Sequence, residues 1–187
     1  MPLLPPIGAE IPCSMLAINT PLQIRTSLLT VDFRGGIKHR VDVNPNDPMN
    51  SERLRTVGFK MSAAMTDENG NGGGSVTIEQ NDVDADPKSL LKVTQTFPPK
   101  FEIITVLDFT MTIEQSGNGD EPWVLTTKDP AKLIGTLTQY PPKGDLYQLQ
   151  SPVDLMTWRT RTPWSRRSRS SRPRSAGSEQ RRPAESG

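Results

Sequence analysis

The sequence predicts an all-β fold, an antiparallel β-sandwich or small β-barrel, and three observations carry that expectation. Apolar residues recur with period two through most of the chain. Clusters of Gly, Pro, Asn and Asp separate the periodic runs. No window offers ten or more residues of helical periodicity with a cap. About ten short strands spaced by turn signals form the pattern expected of a sandwich or barrel.

The chain has 187 residues, of which 33 % are hydrophobic, so one domain is expected with part of the sequence outside its core. Charge locates that part. Residues 157–187 hold nine Arg, no Lys and two Glu, a net +7, whereas residues 1–156 carry a net −6. The expected organisation is a Pro-rich arm over 1–13, an all-β domain over 14–156 and an Arg/Ser/Pro-rich tail over 157–187. Low hydrophobicity and concentrated charge predict disorder for the tail.

The strand candidates run in order. Ser14–Ile18 follows the arm; Leu22–Phe33 precedes Gly35-Gly36, which reads as a turn; Arg40–Val43 precedes an Asn/Pro/Asp cluster. Leu54–Met65 and Ser75–Gln80 flank a glycine-rich loop that tolerates positive φ and suits a hairpin. Leu90–Phe97, Trp123–Thr127, Lys132–Tyr140 and Asp145–Leu149 complete the set with the longest candidate, Phe101–Glu114. In that run Phe101, Ile103, Leu107, Phe109, Met111 and Ile113 share one face. A strand of this length would span about 46 Å, so a bend or bulge is expected near Thr105–Asp108, letting it serve two sheets or wrap a barrel.

A repeat is the most specific signal. Residues 86–100, from Asp86-Pro87 to Phe97-Pro98-Pro99-Lys100, align without a gap on residues 129–143, from Asp129-Pro130 to Tyr140-Pro141-Pro142-Lys143, with six of fifteen positions identical. Thr-Ile-Glu-Gln stands upstream of each copy, at 77–80 and 112–115. Asp-Pro initiates a turn, and Pro-Pro ends a strand because it donates nothing to a sheet ladder. The natural expectation is a duplicated hairpin related by a pseudo-twofold axis.

Composition excludes several chemistries. One Cys and one His allow neither an internal disulfide nor a Cys/His zinc site. Asn81 to Asp86 alternates carboxylates, but an EF-hand starting at Asp82 would need Gly and Glu where Pro87 and Val93 stand; with Asp67, Glu68 or Asp120 it could form only a looser site. No metal and no cofactor is expected. Gly70 to Gly74 leads into a strand and not into a phosphate-binding helix. His39 lies between Lys38 and Arg40, which disfavour its protonation, and reads as exposed; Cys13 has no partner for nucleophilic or redox chemistry.

Two candidate sites remain. Asp108 alternates with Ile104 and Val106, opposite the Phe and Leu row; in a barrel whose lumen lay on that side it would serve as an acid or base toward an apolar substrate. In the tail, Arg166, Arg167, Arg169, Arg172 and Arg174 suit phosphates or an acidic surface, which gives nonspecific, salt-sensitive contact with nucleic acid. The first function reading is a non-catalytic binding or assembly module whose partner is a protein or a small apolar ligand. The second is a small barrel enclosing an apolar molecule, either a carrier or an enzyme of isomerase or cyclase type. The third is a nucleic-acid-associated protein acting through its tail. No membrane partner is expected, because Met1–Leu16 carries four prolines and no cationic start, and no run reaches the roughly 18–20 apolar residues of a span; a cytoplasmic location is the default.

Overall fold

The structure, a computed structural model, describes residues 3–66, 69–81, 88–116, 119 and 121–157. The acidic run 82–87, Asp67, Glu68, Asp120 and the tail arginines Arg166, Arg167, Arg169, Arg172 and Arg174 lie outside the described residues. The Asp86-Pro87 corner of the first repeat copy is thereby outside them too.

The described residues are all-β, with antiparallel strands and no helix. The strands are β1 (Glu10–Ile24), β2 (Ser27–Val43), β3 (Ser51–Thr66), β4 (Gly72–Gln80), β5 (Ser89–Gln95), β6 (Lys100–Leu107), β7 (Phe109–Gln115), β8 (Trp123–Thr127), β9 (Ala131–Leu137), β10 (Tyr147–Leu149) and β11 (Leu155–Thr157). They form one open sheet in the order β10-β9-β6-β5-β3-β4-β7-β8-β11, with β2 on the other edge of β3 and β1 outside β2. Among the described residues no strand pairs with the outer edge of β1. No helix among them is long and apolar enough to cross a membrane.

The sheet forks, and the long strands make the fork. Along one edge of β3, Ser51–Leu54 pairs with β5, whereas Lys60–Thr66 pairs with β4. Its opposite edge pairs with β2 from Glu52 to Ser62. Strands β5, β6, β9 and β10 thus form one branch, and β4, β7, β8 and β11 the other. The interruption expected within Phe101–Glu114 is the single residue Asp108, where the chain passes from the first branch to the second. The apolar face survives the break, since Phe101, Ile103, Leu107, Phe109, Met111 and Ile113 are all 8 % exposed or less.

An irregularity in β3 matches this break. Lys38 faces Gly58 but His39 faces Thr56, leaving Val57 as the extra residue of a bulge. One inserted residue switches the inward set from Leu54 to Phe59, Met61, Ala63 and Met65, and it increases strand twist. The core divides at the same level. A larger cluster surrounds Phe33, Phe59, Phe109 and Met111. A smaller one surrounds Val41, Leu54, Leu91 and Ile103.

Several local expectations change. Strand β1 starts at Glu10, inside the expected arm, and the run Leu22–Phe33 is broken by a tight turn at Arg25-Thr26, with Arg25 at φ 54°. Neither residue announces a turn by composition. Gly35-Gly36 is strand: a Cβ on Gly35 would stand 2.0 Å from the Lys60 carbonyl oxygen, so glycine here permits a close backbone approach of β2 to β3. His39 is accordingly on the inward side of β2 and only 2 % exposed.

The repeat copies take unequal surroundings. Strands β4 and β5 are not paired with each other, so the first copy makes no hairpin; both lie along β3. The strands that carry the two Thr-Ile-Glu-Gln segments, β4 and β7, pair antiparallel, and the segments themselves meet only where Thr77 stands opposite Thr112. Strands β5 and β9 flank β6 on its two edges. Leu91 faces Ile103, yet its counterpart Ile134 faces Ile104, a one-residue offset that reverses which side chains turn inward. Tyr140 packs on the smaller cluster, whereas Phe97 is 90 % exposed. The Phe97–Pro98 and Tyr140–Pro141 bonds are both cis.

Candidate functional site: an apolar trough

The inward face of the second branch does not fill its concavity. It lines an open trough of about 2590 Å³, well above the roughly 300–1,000 Å³ of an ordinary ligand pocket. Its floor is the face laid down by Leu107, Phe109, Met111 and Ile113, continued by Phe59 and Met61. The Phe59 and Phe109 rings are 6.4 Å apart at 53°, a tilted pair that fixes the floor. One wall is the β1–β2 hairpin, through Met15 and Leu29. The other is Trp123 with the segment from Asp145 to Thr157.

Four methionines, Met15, Met61, Met65 and Met111, line this space. Unbranched thioether side chains adapt to irregular apolar shapes, so the surface is pliable as well as oily. At one end the Arg25 guanidinium lies 4.1 Å from the centre of the Trp123 ring, joining the β1–β2 turn to β8 without a backbone hydrogen bond. Outside the trough, Ile11 of β1 packs against the smaller cluster, as does the trough-lining Tyr147 of β10.

Asp108 does not line the trough. It lines a separate crevice of about 20 Å³ at the fork, with Gln80, Lys88, Ser89 and Val106. Its Oδ1 accepts a hydrogen bond from Asn81 Nδ2 at 2.7 Å and another from the Thr127 hydroxyl. The surrounding contacts satisfy backbone groups that the strand break releases. Val106 N–H donates to Ser89 Oγ at 2.8 Å, Phe109 N–H to Thr127 Oγ1 at 3.3 Å, and Asn81 N–H to the Asp108 carbonyl at 3.0 Å. Buried backbone groups need such partners wherever a ladder stops. This network escaped the sequence reading because Asn81, Ser89, Thr126 and Thr127 are distant in sequence and individually unremarkable.

Two buried titratable groups lie beyond the trough floor. Burial lowers His39 to about 4, and Thr56 Oγ1 lies 3.5 Å from its Nδ1. Burial raises Glu52 to about 7, and its Oε2 has no hydrogen-bond partner among the described residues. The nearby Tyr140 hydroxyl likewise has none among the described residues. Burial, with Cys13 close by, pushes Tyr140 and Tyr147 upward, and burial does the same to Cys13. Among the described residues no group of three or more His, Cys, Asp or Glu is placed to hold a metal ion.

These two groups give opposite pH slopes. His39 contributes stability that is present above its ordinary 6.5 and lost as pH falls through about 4. Glu52 contributes stability that is present below its ordinary 4.5 and lost as pH rises through about 7. Between those limits they offset each other in the native chain. Glu52→Gln removes the falling slope, so urea midpoints should rise relative to wild type above about pH 7, while the two proteins converge near pH 4.5. Parallel profiles, or a variant weaker at high pH, would show that the Glu52 carboxyl is not held in an apolar site.

Compared with known proteins, the chain matches no family model, no curated protein and no solved structure.

Proposed function

We propose that this protein is a non-catalytic binding module whose trough holds an apolar guest. The supporting observation is that Leu107 to Ile113, part of the longest apolar face in the sequence, is buried in the core and lines the floor of an open trough of about 2590 Å³. An apolar concavity gains from being filled in proportion to the area removed from water, and methionine walls accept guests of varied shape. The fold fits a small β-barrel left open along one seam. On this view β1 faces β10 and β11 across the seam, with Arg25 over Trp123 at one place and Ile11 and Tyr147 both packed on the smaller cluster. The sequence repeat fits a duplicated strand and corner flanking β6, the second copy displaced by one residue. Asp108 is assigned to the strand junction and not to chemistry.

The test is a titration of the full chain with the neutral apolar probe N-phenyl-1-naphthylamine. Wild type should bind it with a rise in fluorescence. Met15→Glu places a carboxylate on a half-buried wall position, and should weaken binding about tenfold or more, as burying an unpaired charge costs over 1.4 kcal/mol. Equal binding by both proteins would remove the trough as the site.

A further inference from the structure

We infer that the trough's resident occupant is the chain's own segment Trp158–Trp164, which makes the tail a reversible plug; this rests on the trough being a binding site. The trough is apolar inside and acidic at its rim. Glu121, Asp145 and Asp154 are its carboxylates, and Arg25, the one cation among its described lining residues, already lies over Trp123. The complementary occupant is therefore apolar and cationic. Thr157, the last residue of β11, lines the trough, so the chain continues from its wall.

The next residues have the required character. Trp158, Thr160, Thr162 and Trp164 alternate with Arg159 and Arg161. An extended segment of that sequence presents both indoles on one side and both guanidinium groups on the other. Trp164 is seven residues beyond Thr157, a reach of up to about 25 Å. Tethering supplies an effective concentration on the order of millimolar, so modest contacts suffice for occupancy. The net charges of body and tail, −6 and +7, favour the same contact. An apolar guest must then displace the plug, and an anionic partner that captures the arginines would open the trough.

The experiment uses the full chain. In a Trp123→Phe background the only indoles are Trp158 and Trp164. Their emission should be that of shielded indoles, independent of protein concentration, and should shift to the solvent value at about 1 M salt, where charge contacts are screened. In the otherwise native chain, Arg159→Glu with Arg161→Glu should raise affinity for N-phenyl-1-naphthylamine about tenfold by removing the competing plug. Adding Glu121→Lys and Asp154→Lys should return affinity toward wild type. Solvent-exposed indoles with unchanged probe affinity would overturn the plug while leaving the trough intact. Shielding that depends on protein concentration would assign the occupant to a second copy and overturn it too. Shielding that appears only with added RNA would make the tail a nucleic-acid contact instead. Failure of every form to bind the probe would defeat the trough itself.

Discussion

Phe109→Ala should cost about 3–5 kcal/mol of unfolding free energy, a large share of the roughly 5–15 kcal/mol that holds a domain of this size together. Phe109 is 8 % exposed and meets Phe59 in the tilted ring pair. It is also the first residue of β7, immediately after the chain changes branch. Removing the ring takes away its apolar burial and leaves a void between branches that are held in register by Asp108 and cannot collapse freely. Denaturant unfolding monitored by circular dichroism reads the loss directly. Leu28→Ala, at a side chain 70 % exposed on the β1–β2 hairpin, should stay within about 0.5 kcal/mol of wild type. Equal small effects at both positions would mean that the floor of the trough is not part of the core.

The second large effect belongs to Asp108. Asp108→Ala should cost about 2–4 kcal/mol, because it leaves the Asn81 amide and the Thr127 hydroxyl without their shared acceptor in a buried place. Asp108→Asn should cost only about 1 kcal/mol, since both donors meet Oδ1 and the amide retains a carbonyl oxygen there. Neither variant should alter probe affinity in the folded protein, as Asp108 lines the fork crevice and not the trough. Loss of probe binding in Asp108→Asn with stability unchanged would return Asp108 to the role of a site residue. Stability and binding measured on the same samples separate the two.

What was legible in the sequence follows from the range of the interactions involved. The face Phe101 to Ile113 and its break near Asp108 could be read directly, because strand periodicity is a local property and every residue of that face is buried. Even the bend could be placed, since a straight strand of that length has no room in a small domain. The turn at Arg25-Thr26 was not legible. It carries no Gly, Asn or Pro, and its partner Trp123 lies nearly a hundred residues further on. Gly35-Gly36 misled for the opposite reason. Glycine signals both turns and close backbone approaches, and only the position of the Lys60 carbonyl decides between them. His39 was misplaced with it, because its neighbours Lys38 and Arg40 point to the other side of the strand. The hairpin expected from the repeat failed because β3 is long enough to hold β4 and β5 end to end, and pairing across a fork leaves no trace in local sequence. The trough was only half visible. Sequence supplied its floor, but the open space that β1, β2 and the segment 145–157 leave beside that buried face is a tertiary property.

Methionine methyl resonances test the central claim most directly. The chain has seven methionines, four of which, Met15, Met61, Met65 and Met111, line the trough; Met49 is 83 % exposed and outside it. Full-length protein labelled at methionine methyl groups and titrated with N-phenyl-1-naphthylamine should show saturable shifts at those four residues together, with Met49 unmoved. Shifts confined to Met49, or none at the four while the probe binds, would place binding elsewhere and contradict the trough as the functional surface of this fold.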